Sequence, residues 1–96
     1  MASKAALSNE IIRVGRILTG QGLIRSSDGN LSARWKPDRY LFTPSGVYKM
    51  GMGPGDLLVV DGAGRVVSGR PGMKPSSEMW MHLEAYRLRP DIDAVI

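Results

Sequence analysis

Ser76, Ser77 and Glu78 place two hydroxyls and a carboxylate directly behind Pro75, where the sequence predicts the first turn of a helix. Helix starts leave backbone N–H groups unpaired and carry partial positive charge, so they hold anions well. The run can therefore grip a phosphate or another oxyanion beside an acid/base. It also has an ordinary reading, because serine caps helices and glutamate is favoured in their first turn. Two other corners add weight to the site. Ser27-Asp28-Gly29-Asn30 precedes a strand, where glycine and asparagine can turn N–H groups inward as an anion nest. Thr43-Pro44-Ser45-Gly46 offers a second hydroxyl-and-glycine corner at a strand end. Any one of these is what turns are made of. Three in one short chain point to a shared anion site.

The remaining candidates carry less chemistry. His82 lies four residues after Glu78, on the same helical face, and that spacing can hold a metal. One histidine and one carboxylate are too few for a complete site, so a hydrogen-bonded helix histidine is the better reading. Gly51, Gly53 and Gly55 do not join a strand to a helix, and no Lys-Ser or Lys-Thr pair follows, so a nucleotide loop has no scaffold there. Trp35, Trp80 and Tyr86 are spread along the chain and read as packing residues rather than a base-stacking platform.

Composition narrows the class. With no cysteine, disulfides and thiolate metal sites are excluded. The net charge of +4 is mild and its Lys and Arg residues are scattered, which argues against a nucleic-acid partner. No apolar run approaches a membrane span or a signal peptide, so a soluble cytoplasmic protein is expected. Ninety-six residues make one small domain.

The elements that must position the corners follow from periodicity. Ile11, Val14, Ile17 and Leu18 predict a helix from about Ser8 to Gln21, with Ser8 as its cap and residues 1–7 as a mobile leader. Leu31, Ala33 and Trp35 alternate with Ser32 and Arg34 as a half-buried strand, which turns at Lys36-Pro37-Asp38-Arg39 into Tyr40–Thr43. Asp56–Val60 and Val66-Val67 flank an Asp61-Gly62-Ala63-Gly64 turn. A second helix is expected from about Ser76 to Arg89, with Met79, Leu83 and Tyr86 on its inner side and Pro90 ending it. Asp91–Ile96 opens a further strand. This order gives an α/β domain of α+β type, a mostly antiparallel sheet flanked by helices. A strand stopping at Ile96 leaves an open edge, so the chain reads as the front part of a larger domain.

Taken in order, Ser27-Asp28-Gly29-Asn30-Leu31-Ser32-Ala33-Arg34, Thr43-Pro44-Ser45-Gly46 and Pro75-Ser76-Ser77-Glu78 resemble the class II aldolase/adducin family, most of all its fuculose-phosphate aldolase branch. The likeness continues through His82, Ala85-Tyr86, Arg89-Pro90-Asp91 and Ala94-Val95-Ile96. It implies that Gly29, Asn30, Ser45, Gly46, Ser76 and Ser77 bind the phosphate of a small sugar phosphate. It implies that Glu78 is the catalytic acid/base and can touch a metal. The family reaction is reversible aldol cleavage through an enediolate stabilised by zinc. The same scaffold serves epimerases, dehydratases and the non-catalytic adducin-like interaction modules, and the epimerases tend to carry aspartate where this chain has Glu78. In the family a His-x-His pair follows the strand matched by Ala94-Val95-Ile96, so the resemblance implies that the zinc histidines lie beyond Ile96. These 96 residues alone are then expected to lack zinc and activity. A homotetramer with shared sites is implied as well.

Overall fold

The computed structural model describes residues 2–25 and 27–96. Helix α1 (Lys4–Gly20) is followed by strands β1 (Ser32–Lys36) and β2 (Arg39–Phe42). Two 3-10 turns, Lys49–Gly51 and Pro54–Asp56, lead into β3 (Leu58–Val60) and β4 (Val66–Ser68). Helix α2 (Met79–Leu88) and the short β5 (Ala94–Val95) complete the order. The sheet runs β4-β3-β2-β1-β5 with every pairing antiparallel. The chain is thus an α/β fold, a central antiparallel sheet with a helix on each face. Among the described residues, no helix is long and apolar enough to cross a membrane.

Alternation along the strands builds two separate cores, because successive side chains point to opposite faces. Ala33, Leu41 and Val59 join Ile11 and Ile12 of α1, with Met52 and Leu57 sealing the end. Tyr40, Phe42 and Val60 meet Met79, Leu83 and Tyr86 of α2. Strands covered on both sides read as nearly continuous apolar runs, which is why β2 and β3 are buried at almost every position.

That covering corrects the half-buried reading of β1. Ser32 is as buried as Leu31 and Ala33, and it meets α2 through polar groups. The helix starts also differ from expectation. Ser3 rather than Ser8 caps α1, its Oγ accepting the Ala6 N–H at 3.1 Å. Lys4–Leu7, assigned to a leader, form the first helical turn, since Ala5, Ala6 and Leu7 are good helix formers; Met1 lies outside the described residues. Ser8 is instead buried on the inner face with Ile11, Ile12 and Gly15, while Ile17 is 42% exposed. Helix α2 begins at Met79, three residues later than expected, so the two serines lie in the turn before it.

Packing roles are split among the aromatics. Tyr86 is 1% exposed and Trp35 packs against the α1-side core. Trp80, expected to pack, is 59% exposed, with its six-membered ring against Gly64. On the turn of β1 and β2, Asp38 takes a positive φ of 59°, a conformation aspartate tolerates.

Candidate functional site

The three corners are drawn together by specific backbone and side-chain bonds. Extension of the β1–β2 pairing links the first to the second: the Thr43 N–H donates to the Leu31 carbonyl at 3.0 Å, and the Leu31 N–H donates to Thr43 Oγ1 at 3.1 Å. An isolated antiparallel bridge between Pro44 and Pro75 links the second to the third, with the Ser45 N–H donating to the Lys74 carbonyl at 2.7 Å. Asn30 Nδ2 donates to Glu78 Oε2 and so joins the first corner to the third. The result is an open cleft of about 270 Å³ lined by Ser27, Asp28, Gly29, Asn30, Ser45, Gly46, Ser76, Ser77 and Glu78. All seven residues expected at a site therefore line one hollow.

Local geometry sets what each can offer. Ser76 Oγ accepts the Glu78 N–H at 3.1 Å, and the Ser76 carbonyl accepts from Met79 at 3.0 Å. Ser76 thus fixes the turn that presents the Glu78 carboxylate, which combines the capping reading with the site reading. Gly29 and Gly46 hold φ values of 85° and 74°, left-handed backbone conformations that favour glycine. The lining carries two carboxylates, Asp28 and Glu78, and no Lys or Arg side chain. Its affinity for anions must then come from backbone dipoles, hydroxyls, the Asn30 amide and charges set behind the wall.

Gly29 is the most constrained point of the wall. A Cβ there would stand 2.8 Å from Cγ2 of Ile24 in addition to the strained φ. Gly29→Ala is expected to cost about 1–2 kcal/mol and to displace the Asn30 amide from Glu78. Chemical denaturation should read the first effect and phosphate titration the second.

His82 follows Glu78 by one helical turn, its N–H donating to the Glu78 carbonyl at 3.2 Å, and is 4% exposed. Its Nδ1 lies 2.7 Å from Ser32 Oγ, which in turn lies 2.7 Å from the Tyr86 hydroxyl, and its ring is tilted against Phe42. The hydrogen-bonded reading of this histidine holds. Burial pushes its pKa below the ordinary 6.5, with the Glu78 carboxylate pulling the other way. A histidine more acidic in the folded chain binds fewer protons there than in the unfolded chain. Its contribution is therefore whole above pH 6.5 and is lost as pH falls below that value. As the chain's single histidine, it is the one side chain that ordinarily titrates between pH 5.5 and 7.5. The urea midpoint should fall as pH is lowered below 6.5, and His82→Gln should flatten that slope.

Among the described residues, no three His, Cys, Asp or Glu side chains gather as a metal set. Glu78 offers one carboxylate, and His82 Nδ1 is engaged with Ser32. Zinc takes three or four protein ligands, so these residues do not make a zinc site by themselves.

Two features escaped the sequence reading. The Ser32–His82–Tyr86 chain needed the β1–α2 contact to be seen, although a serine within a strand was its one signal. Lys49, a charged residue that is only 2% exposed, sends Nζ to the Ser27 carbonyl at 3.2 Å and the Val47 carbonyl at 3.4 Å. In sequence it looks like any surface lysine in a glycine-rich loop.

Known proteins share this fold. The pattern that defines the Class II Aldolase and Adducin N-terminal domain matches residues 9–96. Methylthioribulose-1-phosphate dehydratase of Pseudomonas syringae pv. syringae (strain B728a) is 43% identical over 94 residues, covering 98% of this chain and 45% of the relative. Among solved structures, YgbL of Klebsiella pneumoniae superposes with a TM-score of 0.89 at 30% identity, over 98% of this chain and 44% of its own. An L-fuculose 1-phosphate aldolase superposes with a TM-score of 0.85 at 38% identity, over 98% of this chain and 43% of its own. The chain spans less than half the length of these relatives. With the family pattern covering residues 9–96, and the fold superposing on solved relatives at TM-scores of 0.89 and 0.85, the chain belongs to the class II aldolase and adducin N-terminal domain family.

Proposed function

We propose that this chain is the N-terminal portion of a lyase acting on a ketose 1-phosphate, and that it contributes the phosphate cradle and the proton-transferring carboxylate. The observation carrying this reading is the single cleft that collects Gly29, Asn30, Ser45, Gly46, Ser76 and Ser77 with Glu78 at its edge. In this reading the six cradle residues hold the phosphate by hydroxyl, amide and backbone N–H donors. Glu78 exchanges the proton of the adjacent carbon, held in place by Asn30 and by the Ser76 turn. Zinc belongs to the reading only for the complete protein, since Glu78 supplies one carboxylate and the other ligands must come from elsewhere. Family likeness extends it to a cytoplasmic homotetramer.

Aldol cleavage and dehydration of such a substrate both place an enediolate across C2 and C3, but by different steps. In cleavage the C4 hydroxyl loses its proton as the C3–C4 bond breaks, the aldehyde departs, and the enediolate left on the three-carbon fragment is protonated at C3. In dehydration the C3 proton is removed from the intact ketose, and the resulting enediolate expels the C4 hydroxyl, which leaves as water. The aldolase reading rests on the ordered corners and on Glu78. The dehydratase reading is favoured by the 43% identical relative named for that reaction. Incubating the complete protein with ketose 1-phosphates separates the two. Aldehyde release marks an aldolase, and a diketone without fragmentation marks a dehydratase. Neither product from any ketose phosphate would defeat the lyase reading and leave the interaction module.

A further inference from the structure

The cradle lacks a cationic side chain in its lining, yet one stands directly behind it. Lys49 enters from the 3-10 turn after β2 and runs along α1, where Gly15 leaves it room: a Cβ at Gly15 would meet Lys49 Cγ at 3.3 Å and Cβ at 3.4 Å. The side chain is 2% exposed and its ammonium ends on the Ser27 and Val47 carbonyls. Ser27 is the first residue lining the cleft, and Val47 follows Gly46. One ammonium therefore ties two of the three corners together from below.

A buried lysine held only by carbonyls is costly, because desolvation disfavours its charge. Among the described residues no carboxylate lies within ion-pair distance of it, and an apolar side chain of similar length would fill the same channel more cheaply. A bound anion would supply the missing opposite charge. We propose that Lys49 is a positioning residue of the anion cradle, which fixes the Ser27 and Val47 carbonyls and acts through the loop as the buried counter-charge of a bound phosphate. This rests on the reading of the cleft as a phosphate site. Burial pushes the Lys49 ammonium below the ordinary lysine range, while the Asp28 carboxylate acts against that shift.

Titration with inorganic phosphate, followed through backbone amide resonances of the complete protein, tests this. In the unaltered protein, phosphate should shift Gly29, Asn30, Gly46 and Ser77. Lys49→Met should weaken the apparent affinity about tenfold while leaving the melting temperature unchanged or higher. Lys49→Arg should recover most of the loss. A purely structural lysine would lower the melting temperature without that affinity pattern. If Lys49→Met binds phosphate as the unaltered protein does, and Ser76→Ala weakens it, the Lys49 assignment is overturned and the cradle stands. If phosphate moves none of the cradle amides in the unaltered protein, the cradle reading falls and takes the assignment with it. Should Lys49→Met not fold, the Lys49 ε-methylene resonance of the unaltered protein decides. It must move with the cradle amides, and an unmoved signal overturns the role.

Discussion

Glu78→Gln in the complete protein should lower kcat by about 10²–10⁴-fold while KM changes only a few-fold. The substitution is nearly isosteric, and a glutamine side-chain carbonyl can still accept the hydrogen bond from Asn30 Nδ2. The Ser76 turn does not involve the Glu78 side chain, so the presentation of residue 78 should persist. What is removed is the ability to take a proton. A loss confined to kcat is the mark of an interaction made in the transition state rather than in binding. Steady-state kinetics on whichever ketose phosphate proves active reads the split directly. Turnover equal to that of the unaltered enzyme would take Glu78 out of the mechanism.

The largest effect on stability is expected at Tyr86. Its ring is 1% exposed, lies 4.8 Å from the Tyr40 ring and has the Arg34 guanidinium 5.1 Å from its centroid. Tyr86→Ala should cost about 3–5 kcal/mol, a large share of the total stability of a domain this size. Tyr86→Phe keeps the ring and loses the bond to Ser32 Oγ, so it should cost only about 1 kcal/mol. Burial also holds the Tyr86 hydroxyl up at about 12, and it stays protonated throughout any working range. Denaturation curves of the two variants check the ranking. A similar cost for both would mean that the hydroxyl chain to His82, and not the ring, anchors α2.

Much of the architecture could be read from the residues because its signals are local. The hairpin at Pro37-Asp38, the turn at Asp61–Gly64 and the inner stripe Met79, Leu83, Tyr86 each lie within a dozen residues. The α1 boundary was misplaced because the apolar period begins late, while the cap at Ser3 works through a single hydroxyl before three residues with no periodic signature. Ser32 and Arg34 looked like an outward face because they are polar. The chain instead uses them inward, Ser32 on His82 and Tyr86 and Arg34 over the two tyrosine rings. At the cleft, residue types suggested three anion-holding corners, but not their closure. Closure depends on the Pro44–Pro75 bridge, between two residues that are usually taken as breaks in a ladder. Lys49 was hidden for a related reason, since only Gly15 on a distant helix makes its burial possible.

The bond from Asn30 to Glu78 spans 48 positions of the chain, and the one from Leu31 to Thr43 spans 12. The hollow draws on residues from Ser27 to Glu78, so it exists only once the β1–β2 pairing and the start of α2 have come together. Its occupancy is then a gauge of global order: an anion that fits it must delay melting in step with its concentration. Lesions far off in either core should blunt the grip on that anion as surely as changes at the hollow's own rim.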